Sequence, residues 1–321
     1  MARRLRLAGG RRRWRFSDVD RGCGQACHAV IRDGRPRCRG PSFARLTTER
    51  ERKRRTEEAM KAVAVEEFFR GVGTWMDWSQ TVDGFRFGDP GIEVTGIAVA
   101  WKPYWSDLKR AKELGCSLFV GHESIFREGP MQPGDESESA QELEQPKLAW
   151  LRGSGLVVYR CHDLWDMMPG IGVRDSWARG LGFEGEPLAV SGFCRVEDVS
   201  GYTFGSLCAQ IAQRVKPLGQ QAVLAVGDEG QAVTRLALGS GAATLAEVIE
   251  LGADVWLGYD DYFRQVRDGA LLKDIGIPYL IVNHGALEEW GIRNLGDYLR
   301  AHFPSVPVHF LPQGCIYRMV G

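Results

Sequence analysis

Three blocks of this 321-residue chain occur twice in the same order, and this duplication limits the fold more than any other feature. Gly88-Asp89-Pro90-Gly91, with Val94-Thr95 and Ala98 behind it, returns 139 residues later as Gly227-Asp228-Glu229-Gly230, Val233-Thr234 and Ala237. Glu113-Leu114-Gly115-Cys116-Ser117-Leu118-Phe119-Val120-Gly121 returns 137 residues later as Glu250-Leu251-Gly252-Ala253-Asp254-Val255-Trp256-Leu257-Gly258. Gly155-Leu156-Val157-Val158-Tyr159 returns at a spacing of 121 as Gly276-Ile277-Pro278-Tyr279-Leu280. The first copy therefore carries about sixteen extra residues before its third block, where the polar stretch Gly129 to Gln145 reads as loop from its Pro, Gly, Glu and Ser content.

Each copy reads as strand, helix, strand, helix, strand. Thr95 to Ala100, Leu118 to Val120 and Leu156 to Tyr159 are short apolar runs of the kind that form buried strands. Ser106 to Leu114 places Leu108, Ala111 and Leu114 at helical spacing and stops at Gly115. Strands alternating with helices predict an α/β fold, internally duplicated, with mostly parallel or mixed sheets covered by helices. The two halves are expected at residues 60–190 and 191–321. Right-handed crossovers bring the ends of consecutive strands to one edge of such a sheet, where ligands bind, so the site is expected in the cleft between the halves.

Charge separates the first 59 residues from the rest. They hold 18 Lys and Arg against 7 Asp and Glu, and the remainder holds 23 against 34. Runs such as Arg52-Lys53-Arg54-Arg55 stand among Gly, Ser and Pro without apolar periodicity, so the segment is expected to be disordered. A start assigned too early is the favoured reading, since Met60 directly precedes the first helical pattern at Lys61 to Val72; a basic arm for nucleic acid or anionic membrane is the other. Cys23, Cys27, His28 and Cys38 fit no common spacing of zinc ligands. The remaining cysteines are scattered and read as buried thiols. No apolar run approaches the ~18 residues of a membrane span and no secretory signal is visible, so a cytoplasmic location without membrane contact is expected.

Three of the five histidines beyond residue 60 directly follow strands. His122 and Glu123 come after Val120-Gly121, His162 and Asp166 after Val157 to Arg160, and His284 and Glu288 after Leu280 to Val282. The last two pairs share a His-x-x-x-carboxylate spacing, which brings imidazole and carboxylate to one side of a helical turn. Mixed nitrogen and oxygen donors suit zinc, manganese or iron rather than calcium. His122, Glu123, Asp166, His284 and Glu288 are donors enough for two divalent ions, with Glu288 as a bridge, and such a pair activates water for hydrolysis. His162 is the additional candidate, either as a ligand or as a residue that orients Asp166. Asp163 and Glu289 stand next to these acids and either support the site or are solvated. In the second copy Tyr259 and Asp260 occupy the places of His122 and Glu123, so that copy has lost donors there, although Asp260 can still line the cleft. His302 and His309 have no acidic partner nearby and read as structural, and Trp101, Tyr104 and Trp105 as core or interface. Gly239-Ser240-Gly241 is a weak phosphate-cradle signal that no P-loop lysine follows.

Taken together, Val82-Asp83-Gly84, Gly88-Asp89, Leu118 to Glu123, Cys161-His162-Asp163-Leu164-Trp165-Asp166 and Asn283-His284-Gly285-Ala286-Leu287-Glu288-Glu289 resemble the NIF-three-like dinuclear metal-centre family, the GTP cyclohydrolase 1 type 2 homologues. The resemblance covers nearly all of residues 60 to 321. It implies a duplicated α/β architecture, two metal ions held by His122, Glu123, Asp166, His284 and Glu288, and a ring-shaped homohexamer. Most members have His-His where this chain has His122-Glu123, which assigns it to a His-Glu branch; Gly258-Tyr259 and Phe263 depart from the pattern of the second half. The expected function is a metal-dependent hydrolase for a nucleotide-like small molecule, with Glu123 and Glu288 as the catalytic carboxylates. The alternative is a non-catalytic, metal-binding hexameric adaptor. Nucleic-acid binding through the basic arm is the weakest of the three.

Overall fold

Apolar runs too short for helices become strands that are buried on both faces. In the computed structural model of the protein, which describes residues 59–127, 142–239, 245–261 and 263–320, the first part of the chain folds as α1 (Val63–Val72), β1 (Gly84–Phe87), β2 (Ile97–Ala100), α2 (Trp105–Glu113), β3 (Leu118–Gly121), α3 (Gln145–Ser154), β4 (Val157–Arg160), α4 (Asp163–Met167) and α5 (Val173–Leu181). It continues as β5 (Ala189–Ser191), β6 (Cys194–Thr203), α6 (Phe204–Val215), β7 (Leu224–Val226), β8 (Ala232–Gly239), α7 (Leu245–Glu250), β9 (Val255–Tyr259), α8 (Ala270–Ile275), β10 (Tyr279–Val282), α9 (His284–His302) and β11 (Val308–Phe310). Residues 1–58, the subject of the disordered-extension reading, lie outside the described residues. So do most of the expected loop 129–145 and Ser240 and Gly241. Among the described residues, no helix is long and apolar enough to cross a membrane.

The strands form two mixed sheets. The first has the order β1-β4-β3-β2-β11 and the second β5-β6-β8-β9-β10-β7. In the first, β4, β3, β2 and β11 run parallel and β1 is antiparallel to β4. In the second, β8, β9 and β10 run parallel, and β7 is antiparallel to β10 as β1 is to β4. The order β1-β4-β3-β2 is thus repeated as β7-β10-β9-β8. Side chains alternate between the faces: Val99, Val120 and Tyr159 enter one core of the first sheet, and Ala98, Phe119 and Val158 the other. The second sheet is covered on both sides in the same way, which is why its parallel strands read as unbroken apolar runs.

Hydrogen bonds account for the repeated motifs. Asp89 accepts from Gly91 N at 2.8 Å and Asp228 from Gly230 N at 2.9 Å, so both Gly-Asp-x-Gly runs close the same side-chain turn. Thr95 N donates to Ser117 Oγ, and Thr234 N to Asp254, tying the start of the first parallel strand to the start of the next in each copy. Gly88 has φ +84°, and a Cβ there would stand 2.9 Å from Leu156 O and Val157 Cα; its counterpart Gly227, at φ +153°, would place a Cβ 2.5 Å from Pro278. The motif keeps glycine because the turn crosses directly over the strand entering the third position of the sheet.

Three features went unseen in the sequence. The antiparallel strands β1 and β7 are three or four residues long and carry no alternation strong enough to mark them. Two segments also cross the division drawn at 190/191: α5 packs Trp177, Ala178 and Leu181 into the core of the second sheet, and β11 returns to pair with β2 in the first. The 19-residue helix α9 joins both cores, with Leu287 in the core of the second sheet and Ile292, Leu295 and Leu299 in that of the first. Each such side chain contributes roughly 1.5–3 kcal/mol when fully buried, so α9 is firmly anchored at both sheets. Gly88→Ala is expected to destabilise the protein by roughly 2 kcal/mol or more, from the strained φ and the contact with backbone. A lowered midpoint in urea denaturation checks this; an unchanged midpoint would show that the turn relaxes freely.

Candidate metal centre

The candidate residues stand where the sheets end. β3 delivers His122 and Glu123, β4 delivers His162 and then Asp166 on the first turn of α4, and β10 delivers His284 at the start of α9 and Glu288 one turn further on. The expected i, i+4 geometry is present in both helices: His162 Nδ1 lies 3.5 Å from Asp166 Oδ2, and His284 Nε2 lies 3.0 Å from Glu288 Oε1. The two motifs are out of step by one residue, because His162 is the N-cap of α4 whereas His284 is the first residue of α9, capped by Asn283. The caps show the true correspondence. Asp83 accepts from His162 N and Gln220 accepts from Asn283 N, at 2.6 and 2.9 Å.

These side chains converge. His122 Nε2 is 3.4 Å from Asp166 Oδ1 and 3.2 Å from Glu288 Oε2. Glu123 Oε1 is 3.7 Å from His162 Nε2 and 3.8 Å from His284 Nε2. Three overlapping donor sets result, each with its ligand atoms within 4.8 Å of one another: His122, Asp166 and Glu288; Glu123, His284 and Glu288; and His122, Glu123 and His162. Glu288 belongs to the first two sets, His122 to the first and third, and Glu123 to the second and third.

The imidazoles are oriented from behind. His122 Nδ1 meets Cys161 O at 3.0 Å, His162 Nδ1 meets Asp163 Oδ1 at 2.9 Å, and His284 Nδ1 meets Asp261 Oδ2 at 2.9 Å. A carbonyl or carboxylate at Nδ1 fixes the proton there and leaves the Nε2 lone pair for a cation, as outer partners of metal-bound histidines do. His122 and His162 stack at 4.5 Å, and Tyr259 stacks on His284 at 4.1 Å. Trp101 Nε1 donates to Glu288 Oε2 at 2.7 Å, and Arg160 reaches Glu123 Oε2 at 3.3 Å. Among the described residues, His122 Nε2 and both carboxylate oxygens of Asp166 are buried without a hydrogen-bond partner. Orphaned polar atoms of this kind are costly unless a cation meets them, so the donor set fits a divalent ion.

The flanking acids support the site rather than standing free in solvent, Asp163 half-buried and Glu289 buried. Asp163 holds His162 and accepts from Thr81 and Val82 N, while Glu289 is buried and accepts from Gln313 N and Gly314 N. Asp260 turns to His284 N and Asn283 Nδ2 rather than into the cluster. His302 bonds Tyr298 O on the exposed side of α9, and His309 sits in β11; neither joins the centre. Sequence reasoning missed Trp101, Arg160 and Asp261. Trp101 resembled an ordinary core residue, and Asp261 lies next to Asp260, the residue the repeat drew attention to.

The electrostatics show how much positive charge the cluster calls for. Burial opposes a charged imidazole, yet Glu288 and Asp261 carry His284 up to about 10, and Asp166 leads the groups that carry His162 up to about 9. Burial likewise opposes an ionised Glu123, but its contacts with His162 and His122 hold it at about 2. Without a metal, protonated imidazoles supply the charge that balances the ionised carboxylates.

The fold and the site together define an α/β protein that gathers a buried cluster of histidines and carboxylates at the ends of its parallel strands. The chain belongs to the Duf34/NIF3 (NGG1p interacting factor 3) family, whose model matches residues 65–314. It is 28% identical over 204 residues to a GTP cyclohydrolase 1 type 2 homolog of Pseudomonas aeruginosa, covering 61% of this chain and 75% of the relative. A protein of the same description from Clostridium perfringens is 25% identical over 211 residues, covering 63% and 76%. The fold is shared with a Staphylococcus aureus hypothetical protein at a TM-score of 0.66 and 17% identity, over 82% of this chain and all of that one.

Because His162 and His284 hold protons at neutral pH in the metal-free protein, a divalent ion bound by them must displace those protons. Affinity is expected to climb as pH rises from 7 through 9–10, with proton release seen by calorimetry in buffers of different ionisation heat. The same raised values stabilise the metal-free fold fully below the unfolded histidine pKa of ~6.5 and lose that contribution as pH rises through 9–10. Buffer-independent heats and a flat affinity above pH 7 would contradict this.

Proposed function

We propose that the protein is a metal-dependent hydrolase in which two divalent ions, zinc, manganese or iron, sit in the cleft between the halves of a duplicated core and act on a nucleotide-like small molecule. The observation that carries this reading is the buried convergence of His122, Asp166 and Glu288, in which His122 Nε2 lies 3.4 Å from Asp166 and 3.2 Å from Glu288 and neither it nor the Asp166 oxygens makes a hydrogen bond of normal geometry. His122, Asp166 and Glu288 would hold one ion and Glu123, His284 and Glu288 the other, with His162 as an additional donor beside Glu123. Two such ions polarise a substrate oxygen and activate water.

The chain's own residues divide the remaining work by their exposure. The side chains of His122, Asp166 and Glu288 are 0–1% exposed, whereas Glu123 and His162 are 16% and 18% exposed. Substrate therefore approaches from the side of Glu123 and His162. Glu123 is held ionised there, with Arg160 on its second oxygen, and would serve either as a ligand of the second ion or, if it leaves that ion, as the carboxylate that takes a proton from the attacking water. Trp101 holds one oxygen of Glu288 and would fix the orientation in which that carboxylate meets the ions. The nucleotide class is supported by the relatives described as GTP cyclohydrolase 1 type 2 homologs, and ring-opening hydrolysis of a purine nucleotide is the specific form of the proposal.

The purified protein is expected to carry two ions per chain by elemental analysis. In a screen of GTP, cyclic nucleotides and phosphoesters, one substrate class is expected to turn over. Glu288→Ala should lose metal and reduce that turnover by at least the roughly 10–100-fold that follows loss of an outer-shell partner. A metal-free protein with an intact fold would sink the proposal. Bound metal without turnover of any class would leave a metal-binding adaptor in place of an enzyme.

A further inference from the structure

The segment that follows β11 closes a ring of hydrogen bonds behind the candidate bridging carboxylate. Gln313 grips the backbone of Lys102 with both ends of its amide: Oε1 accepts from Lys102 N at 2.9 Å and Nε2 donates to Lys102 O at 2.6 Å. The same Nε2 reaches Asp107 Oδ2 at 2.8 Å. The backbone N–H groups of Gln313 and Gly314 both donate to Glu289 Oε2, at 3.0 and 2.7 Å. Lys102 adjoins Trp101, which donates to Glu288 at 2.7 Å, and Glu289 adjoins Glu288. The path from Glu288 through Trp101, Lys102, Gln313 and Glu289 therefore returns to its starting point. Leu311 N on Val99 O and Cys315 N on Leu218 O tether the segment at either end.

We propose that Gln313 is a positioning residue for the metal centre: by fixing the backbone beside Trp101 and the carboxylate beside Glu288, it sets the orientation in which Glu288 meets the cations. This rests on the proposed role of Glu288 as a shared ligand. A side-chain amide that satisfies both backbone groups of one residue defines a position far more tightly than a single bond would. Two backbone donors on one carboxylate oxygen do the same for Glu289. Such outer partners typically contribute 10–100-fold to metal affinity.

The test pairs a metal readout with one that needs no metal. Gln313→Met keeps the length of the side chain and removes its hydrogen bonds. In a Zn²⁺ titration against a competing chelator, the variant is expected to bind at least roughly tenfold more weakly than wild type. In protein labelled with ¹⁵N at the indoles, the Trp101 signal, assigned by its loss in Trp101→Phe, is expected to exchange with solvent roughly tenfold faster in the metal-free variant while the other indole signals keep their rates. Should Gln313→Met fold poorly, Gln313→Asn, which keeps the amide but shortens its reach to Lys102 and Asp107 by one methylene, is expected to show the same changes. Zn²⁺ affinity and Trp101 exchange both equal to wild type would overturn the proposal. A wild-type protein that binds no Zn²⁺ would remove the proposed function, and the exchange rate alone would then decide for or against Gln313 as the residue that orients Trp101.

Discussion

Glu288 is a carboxylate with almost no contact with water, and the rest of the site is arranged around that fact. Taking such a group out of water costs several kcal/mol unless partners replace its hydration. The partners come from three separate strand ends: Trp101 after β2, His122 after β3, and His284 on the same helical turn. Each reaches Glu288 only if both sheets are in place and α9 is seated between their cores. Gly285 shows how little slack there is, since a Cβ there would lie 2.8 Å from the Trp101 ring. The fold thus builds the charge cluster, and the cluster in turn calls for balancing positive charge, from protonated imidazoles or from a cation.

The second copy of the repeat has become the support for the first. Tyr259 stands where the first copy has His122, and it keeps the ring contact, stacking on His284 as His122 stacks on His162. Asp260 stands where the first copy has Glu123 and has turned to hold the backbone of His284. Its neighbour Asp261 fixes the His284 imidazole from outside. The two equivalent strand ends differ, one presenting candidate metal donors and the other orienting a single histidine. That division suits a site open on the Glu123 side and closed on the Glu288 side.

Much of this was legible in the sequence because sheet topology converts linear position into spatial position. Once three parallel strands are recognised in each copy, residues just past them must share an edge, which is how His122, Asp166, His284 and Glu288 were singled out despite lying far apart in the chain. The repeat also marked Gly88 and Gly227, whose conformations the turn demands. What stayed hidden depends on approach in three dimensions. Trp101 is one indole among ten until its N–H is seen on Glu288. Gln313 carries no pattern at all, and β11 is too short to announce that it belongs to the sheet at the opposite end of the chain. The one-residue offset between the two His-x-x-x-carboxylate motifs was equally invisible, since their spacing is identical and only the helix caps separate them.

The central claim is that His122, Asp166, Glu288, Glu123 and His284 grip cations in common. It is tested most directly by anomalous X-ray diffraction, at the metal's absorption edge, from crystals of protein purified without chelators. The account predicts two anomalous peaks, one within ligand distance of His122, Asp166 and Glu288 and one within ligand distance of Glu123, His284 and Glu288. Crystals grown with the metal that show these side chains around water alone, with no anomalous density between them, would contradict it.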